Sequence, residues 1–183
     1  MKKRFFQCMM TVAVISTVSL SCSKDEDEPL NEEELITTLR VTMTESGATG
    51  SQVFTFRDVD GPGGQNPTAF DSIIVNANRN YSVALQFLNE SVSPAEDITT
   101  EVVAEANDHQ VFFESAGVVI NVLNQNLDGV GLPLGTTSTW NAGAAGTGRM
   151  KITLKHKPGA KAAGDPVSKG ETDVEVEFNV RLK

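Results

Sequence analysis

The chain has 183 residues, and its 24 acidic and 15 basic side chains give a formal net charge of −9 at pH 7. This length fits one ordinary domain, which can bury a core without disulfide bonds. The acidic balance argues against nucleic acid as a partner and against docking on an anionic lipid surface. It is typical of a domain that its net charge keeps in solution.

The start of the chain is organised like a secretory signal peptide. Basic residues 2–4 precede the apolar segment 5–20, and Ser21 then leads into Cys22. The apolar segment is shorter than the about 20 residues that a transmembrane helix needs. We therefore expect residues 1–21 to be removed on export. The alternative is an ordinary secretory peptide in which Cys22 has no role.

Leu20-Ser21-Cys22 resembles the lipobox of bacterial lipoproteins, although Ser19 stands where that family usually has leucine. The resemblance implies cleavage before Cys22 and acylation of this cysteine, and several acyl chains would anchor the protein stably to a membrane. Cleavage removes 21 of the 183 residues and leaves 162. It also removes Cys8 and three positive charges but no negative ones, so the net charge falls from −9 to −12 and no pair of thiols remains.

Residues 22–34 form the cysteine and an acidic linker. Within them, Ser23-Lys24-Asp25-Glu26-Asp27-Glu28 resembles the lysine-plus-acidic export signal of Bacteroidetes-type surface lipoproteins. The resemblance implies transport to the outer face of the outer membrane. A run of acids also repels itself and stays solvated, so a plain linker is the alternative.

Alternation of apolar and polar residues predicts strands throughout residues 35–183, which we interpret as a single domain. The predicted strands cover residues 39–43, 53–57, 69–75, 81–88, 109–114, 118–123, 136–140, 150–156 and 174–181. Turn residues at 46–50 predict a hairpin between the first two strands. Gly- and Pro-rich composition predicts long loops at 58–67 and 157–170, and a flexible stretch at 141–148.

Short strands separated by turns indicate a mainly β fold. They favour an antiparallel β-sandwich, Ig-like or jelly-roll-like, with an up-and-down β-barrel as the alternative. One short helix is predicted at about residues 94–106. Ser93-Pro94-Ala95-Glu96 has the form of a capping box with proline at the first helical position, and Ile98, Val102 and Ala106 would share one apolar face.

The chain has two histidines, His109 and His156. Glu105 and His109 are four residues apart and would share a face if the helix continued to His109. Two imidazoles and a carboxylate that meet in space suit zinc or copper, which are the candidate cofactors. The alternative is two exposed polar residues near the ends of loops.

Two further motifs lie earlier in the chain. Asp58-Val59-Asp60-Gly61 looks like the start of a calcium-binding loop, with Asp58 and Asp60 as oxygen ligands, but it lacks the ligands expected at positions five and twelve. A strand that ends in an Asx/Gly turn is the alternative. Asp71-Ser72-Ile73 resembles the O-glycosylation acceptor motif of Bacteroidetes secreted proteins, and the resemblance implies modification of Ser72.

Recognisable catalytic motifs are absent from the sequence. It contains no G-x-S-x-G nucleophile elbow and no recognisable His/Asp/Ser order, and we expect the protein not to be an enzyme. Trp140 and Tyr81 are the only residues of their types. Because sugar-binding surfaces commonly use several aromatic platforms, this scarcity argues against a glycan-binding protein.

Most of residues 31–182 resembles a group of small Bacteroidetes lipoproteins without an established activity. The segments that carry this resemblance are residues 31–38, 56–61, 88–91, 105–110, 154–158 and 170–174. Some members of the group carry the label "type 1 periplasmic binding fold", which denotes large α/β pairs of domains, whereas this chain is short and β-rich. The resemblance implies a surface lipoprotein.

We therefore expect a non-enzymatic binding or accessory module, lipid-anchored at the cell surface, for uptake of a metal or small ligand. An outer-membrane receptor is the expected protein partner, and the membrane is contacted through the lipid anchor. The alternative is a structural or adhesive cell-surface protein.

Overall fold

A computed structural model describes residues 35–61 and 64–183 of the chain. In these residues the fold consists of eleven strands and one short helix. The elements are β1 (Thr38–Glu45), β2 (Ser51–Arg57), β3 (Ala69–Phe70), β4 (Ile73–Val75), β5 (Asn80–Asn89), β6 (Glu96–Asp97), α1 (Thr99–Ala104), β7 (His109–Ala116), β8 (Ile120–Leu123), β9 (Thr137–Ala142), β10 (Gly146–His156) and β11 (Glu171–Leu182). No helix among these residues is long and apolar enough to cross a membrane.

The strands form two sheets. The larger sheet has the strand order β3-β2-β1-β5-β9-β8, with β6 also paired to β5, and the smaller sheet has the order β4-β11-β10-β7. All pairs are antiparallel except β4 with β11, which run parallel. This arrangement confirms the predicted mainly β fold and is consistent with a β-sandwich. The described strands form two open sheets, so the alternative of an up-and-down barrel is wrong.

The core lies between the two sheets and contains the residues that alternate along each strand. In β11 the side chains of Val176, Phe178 and Val180 are buried, whereas the intervening Glu177 and Asn179 are exposed. This is the period-two pattern that the sequence predicts. The core of the described residues lies within the compact unit Glu33–Lys183, which we expect to fold by itself.

The predicted strand at residues 69–75 is wrong in one respect, because the structure divides it between the two sheets. Ala69–Phe70 pairs with β2 in the larger sheet, and Ile73–Val75 pairs with β11 in the smaller one. The chain crosses between the sheets at Asp71 and Ser72, where Asp71 Oδ2 accepts a hydrogen bond of 2.8 Å from the Thr55 backbone N–H. Apolar residues on both sides of the crossing, Ala69–Phe70 before it and Ile73–Val75 after it, give the sequence the appearance of one strand.

The predicted helix at 94–106 is shorter than expected and begins later, at Thr99. Residues Glu96–Asp97 pair instead with β5, so the proposed capping box at residues 93–96 does not form. Asp97 Oδ1 accepts a hydrogen bond of 3.1 Å from the Thr99 N–H near the start of the helix. Sheet pairing at this position has overridden the local helix signal. The apolar face is nonetheless buried, since Val102 is fully inaccessible.

The predicted loop at 157–170 contains only turns and folds back toward β7. The buried Lys157 ammonium lies 4.5 Å from the centre of the Phe112 ring and donates a 2.7 Å hydrogen bond to Gln110 Oε1. The backbone N–H of Lys157 also donates to Asp108 O at 2.6 Å. Together these contacts fix the turn that precedes His109.

The stretch 141–148, which the sequence predicts to be flexible, belongs largely to β9 and β10. Gly148 within β10 closely approaches the backbone of residues 116–118, which connect β7 to β8. A Cβ atom at this position would lie 2.7 Å from Val118 N and still closer to Ala116 O. The glycine is therefore required by packing and is compatible with an ordered strand.

We predict that Gly148→Ala destabilises the fold by about 1–3 kcal/mol, because its methyl group would overlap backbone atoms that cannot move independently. Equilibrium unfolding in urea measures the effect. Gly50→Ala is the matched control, since nothing lies within 4 Å of its added methyl group. Equal stability of the two variants would contradict the packing role of Gly148.

Candidate metal centre

The two histidines meet because of the register between two antiparallel strands. His109 is the first residue of β7 and His156 the last of β10, and they are direct cross-strand partners. Their rings stack with centroids 4.5 Å apart and planes inclined by 7°. The next pair along the same face is Val111 with Leu154, both buried in the core. The imidazoles therefore continue the inward face of the sheet at its end.

Glu105 reaches the pair through the turn that follows α1. It is the C-terminal cap residue of the helix, and its carbonyl oxygen lies 3.2 Å from His109 Nδ1. One ligand atom from each of Glu105, His109 and His156 lies within 4.8 Å of the others. The structure thus brings the three predicted residues together. The expected reason is wrong, because His109 lies in a strand and does not extend the helix.

The hydrogen bond to Glu105 defines the protonation of His109. A carbonyl oxygen can only accept, so Nδ1 carries the proton and Nε2 of the neutral ring has the lone pair. His109 has no solvent exposure, and burial is the largest cause that holds its pKa below the ordinary value, with His156 acting in the same direction. The hydrogen bond to Glu105 opposes this shift. A neutral imidazole is the form that binds metal.

A fourth polar side chain, which sequence reasoning missed, borders the pair. Asp173 Oδ2 lies 3.9 Å from His109 Nε2, and the Asp173 side chain is 6% exposed. The pairing of β10 with β11 skips Asp173, since Leu154 is opposite Val174 and Lys155 is opposite Thr172. Asp173 is therefore the extra residue of a β-bulge. No sequence signal identifies a bulge at this position, and so none identifies this carboxylate.

Two imidazoles and one carboxylate form a donor set that fits zinc or copper, with a position left for water or a ligand. Tetrahedral zinc with bonds of about 2.0–2.1 Å places its ligand atoms roughly 3.4 Å apart. The separations of up to 4.8 Å are somewhat wider than this. Because lone pairs lie in the ring planes, the nearly parallel rings must also tilt toward each other. Half-buried His156 and exposed Glu105 have room for this adjustment.

The aspartates of the calcium-like motif are not gathered into a cluster of this kind. Asp60 Oδ2 accepts a 2.8 Å hydrogen bond from the Gln65 N–H, and this bond lowers the pKa of Asp60. Among the described residues, Glu105, His109 and His156 form the one group of three suitable side chains. The Gln65 N–H that bonds to Asp60 lies five residues further along the chain, and the calcium site at Asp58 and Asp60 stays a prediction.

The remaining predicted site residues differ in their exposure to solvent. Ser72 is exposed between β3 and β4, so its hydroxyl is accessible, and glycosylation stays a prediction. Trp140 and Tyr81 are completely buried in the core and cannot serve as sugar platforms. Cys22 lies outside the described residues, and its acylation stays a prediction.

Comparison with known proteins gives no match: no protein-family model fits the chain, and no curated protein or solved structure is significantly similar to it.

We predict that the free energy of unfolding falls as the pH is lowered from about 6.5, the ordinary histidine pKa, through the lower pKa of folded His109. Below about pH 6.5, His109 of the unfolded chain binds a proton, whereas the buried ring of folded His109 stays neutral to a lower pH. Urea titrations at several pH values would measure this loss. In His109→Phe the corresponding loss should be smaller. A constant stability difference between the two proteins from pH 8 to pH 5 would contradict the prediction.

Proposed function

We propose that this protein is a non-enzymatic binding module that holds zinc or copper through Glu105, His109 and His156. The observation that carries the proposal is the convergence of these three side chains, whose ligand atoms all lie within 4.8 Å of one another. The buried, neutral His109 has its tautomer fixed by a backbone carbonyl, as is usual for metal-ligating histidines.

The location proposed for this module follows from the start of the sequence. Acylated Cys22 would tether the head to the outer membrane, and the acidic linker would place it at the cell surface. The net charge of −12 in the mature chain favours accumulation of cations near the protein. A metal held in a partly open site can be passed on, so an outer-membrane receptor is the proposed partner.

Isothermal titration of residues 33–183 with zinc and copper tests the metal site. We expect one equivalent to bind, and we expect His156→Ala and Glu105→Gln each to weaken binding by about tenfold or more, since each removes one ligand. Glu101→Gln is the control, because Glu101 is an exposed acid one helical turn earlier. Calcium should give no comparable heat.

Absence of heat with zinc and copper, or equal heat in the double variant His109→Ala plus His156→Ala, would exclude the histidine site. The structural or adhesive alternative predicts this result, together with recovery of a protein partner in surface pull-downs that metals do not affect.

The anchor is tested separately. We predict that Cys22→Ala abolishes incorporation of labelled fatty acid and releases the protein from the membrane fraction, because the acylated thiol is lost. Ser23→Ala is the control, because it changes the neighbouring residue and keeps Cys22. This variant should incorporate the labelled fatty acid normally. Continued labelling of Cys22→Ala would show that the lipoprotein assignment is wrong.

A further inference from the structure

The larger sheet ends in a strand whose free side pairs with none of the described segments. β8 pairs with β9 on its other side and is the last strand of this sheet in the described part of the chain. An edge strand presents N–H and C=O groups to a further strand, and proteins usually protect such an edge with charged residues, proline or a bulge. β8 consists of Ile120-Asn121-Val122-Leu123 and has none of these protections.

The other edges of the two sheets are less available for pairing. In β7, the edge of the smaller sheet, the Val111 N–H already donates a hydrogen bond of 2.7 Å to Leu134 O of the following loop. The edge strands β3 and β4 have only two and three residues. Short or covered edges resist the addition of a strand. β8 is therefore the edge best suited to pair with another chain.

The backbone groups on the free side of β8 belong to Ile120 and Val122. Gly143 N–H donates a hydrogen bond of 2.9 Å to Val119 O, and β8 keeps this register with β9. In an antiparallel pair, alternate residues of a strand bond to the same neighbour. Val119 and Asn121 thus direct their backbone groups to β9, whereas Ile120 and Val122 direct theirs away from it.

A cleft of about 390 Å³ borders this free side. It lies between β8 and the facing strand β7, which contributes Phe113 and Ser115 to its lining. Ile120 is buried on the inward face of β8, and Val122 and Phe113 are partly buried against the core. The cleft therefore has an apolar floor. A strand added to β8 would direct its own inward side chains into this space.

The outward side chains of the same segment are apolar at both ends. Val119 is 61% exposed and Leu123 is 51% exposed, with exposed Asn121 between them. Residues 115–126 contain no charged side chain, although the chain has a net charge of −9. Two copies of so acidic a chain repel each other overall, and an uncharged segment is where they can approach most closely. These properties fit a second copy of this chain.

We propose that β8 pairs antiparallel with β8 of a second copy, with the two Asn121 residues opposite each other on a two-fold axis. Ile120 then lies opposite Val122 of the second copy, and the two residues exchange their backbone hydrogen bonds. On the outward face Val119 lies opposite Leu123 of the second copy, so the exposed apolar side chains cover each other. A self-complementary patch of this kind is typical of two-fold dimers.

The register follows from the sequence of the strand. Centring the pair on Ile120 or on Val122 would place Asn121 opposite an apolar residue, Val119 or Leu123, and would separate the two apolar residues from each other. Because β8 is short, the interface is small and the association is weak. This dimer does not rest on the metal centre.

Sedimentation equilibrium with a metal chelator present tests the dimer on residues 23–183, which lack the signal peptide and Cys22. We expect the mean mass to rise from one chain toward two as the concentration is raised to about 1 mM. Residues 33–183 should behave in the same way. A monomer at every concentration would overturn the proposal. So would a difference between the two chains, because it would show that the preceding segment takes part at this edge.

Charge variants at the two-fold axis test the register. Asn121→Asp and Asn121→Lys each place like charges opposite each other, and we expect each to weaken self-association by about fivefold or more. An equimolar mixture of the two variants should associate again, because the charges are then opposite. This recovery also shows that both variants are folded. Unchanged association of Asn121→Asp, or no recovery in the mixture, would overturn the proposal.

Asn179→Asp is the matched control. It makes the same change at an exposed position of β11, which is an inner strand of its sheet, and it should associate as the wild type does. Asn121→Asp should bind zinc normally, and His156→Ala should dimerise normally. Failure of the metal centre therefore leaves the dimer standing, and failure of the dimer leaves the metal centre standing.

Discussion

Apolar packing between the two sheets is the interaction on which the rest of the structure depends. The inward side chains of β10 and β11, such as Ile152, Leu154 and Phe178, are completely buried against the corresponding side chains of β1 and β5, such as Leu39 and Phe87. Each such side chain contributes roughly 1.5–3 kcal/mol when it is removed from water. Because side chains alternate between faces, this burial fixes the register of every long strand.

The same register creates the candidate metal centre. Pairing of Val111 with Leu154 in the core forces His109 opposite His156 two residues further along. The turn before His109 is held by Asp108, which accepts bonds from the Lys157 and Gly159 backbones at 2.6 and 2.8 Å. The histidine pair is thus supported by the core on one side and by the 157–170 loop on the other.

Several buried charged or titratable groups lie where β10 ends and β11 begins. His109, Asp173 and Lys157 are all largely shielded from water there, and Asp58 borders the cavity that Asp173 also lines. Burial of such groups reduces stability unless each finds a partner. Other buried polar groups lie elsewhere, among them Ser138 and the ion pair of Lys161 with Asp128. A local departure from the rules that favour stability is typical of a functional site, and the proposed metal centre lies in this region.

The sequence by itself determined the mainly β fold, the hairpin of β1 and β2 and the inward residues of β11, because period-two alternation records which face is buried. It also indicated Glu105, His109 and His156 as one donor set. Only the tertiary structure decided that residues 69–75 are divided between the two sheets and that residues 96–97 pair with β5. It also decided that a bulge brings Asp173 beside His109. The physical reason is that these features depend on hydrogen bonds between distant segments, and a local pattern of residue types does not specify the partner.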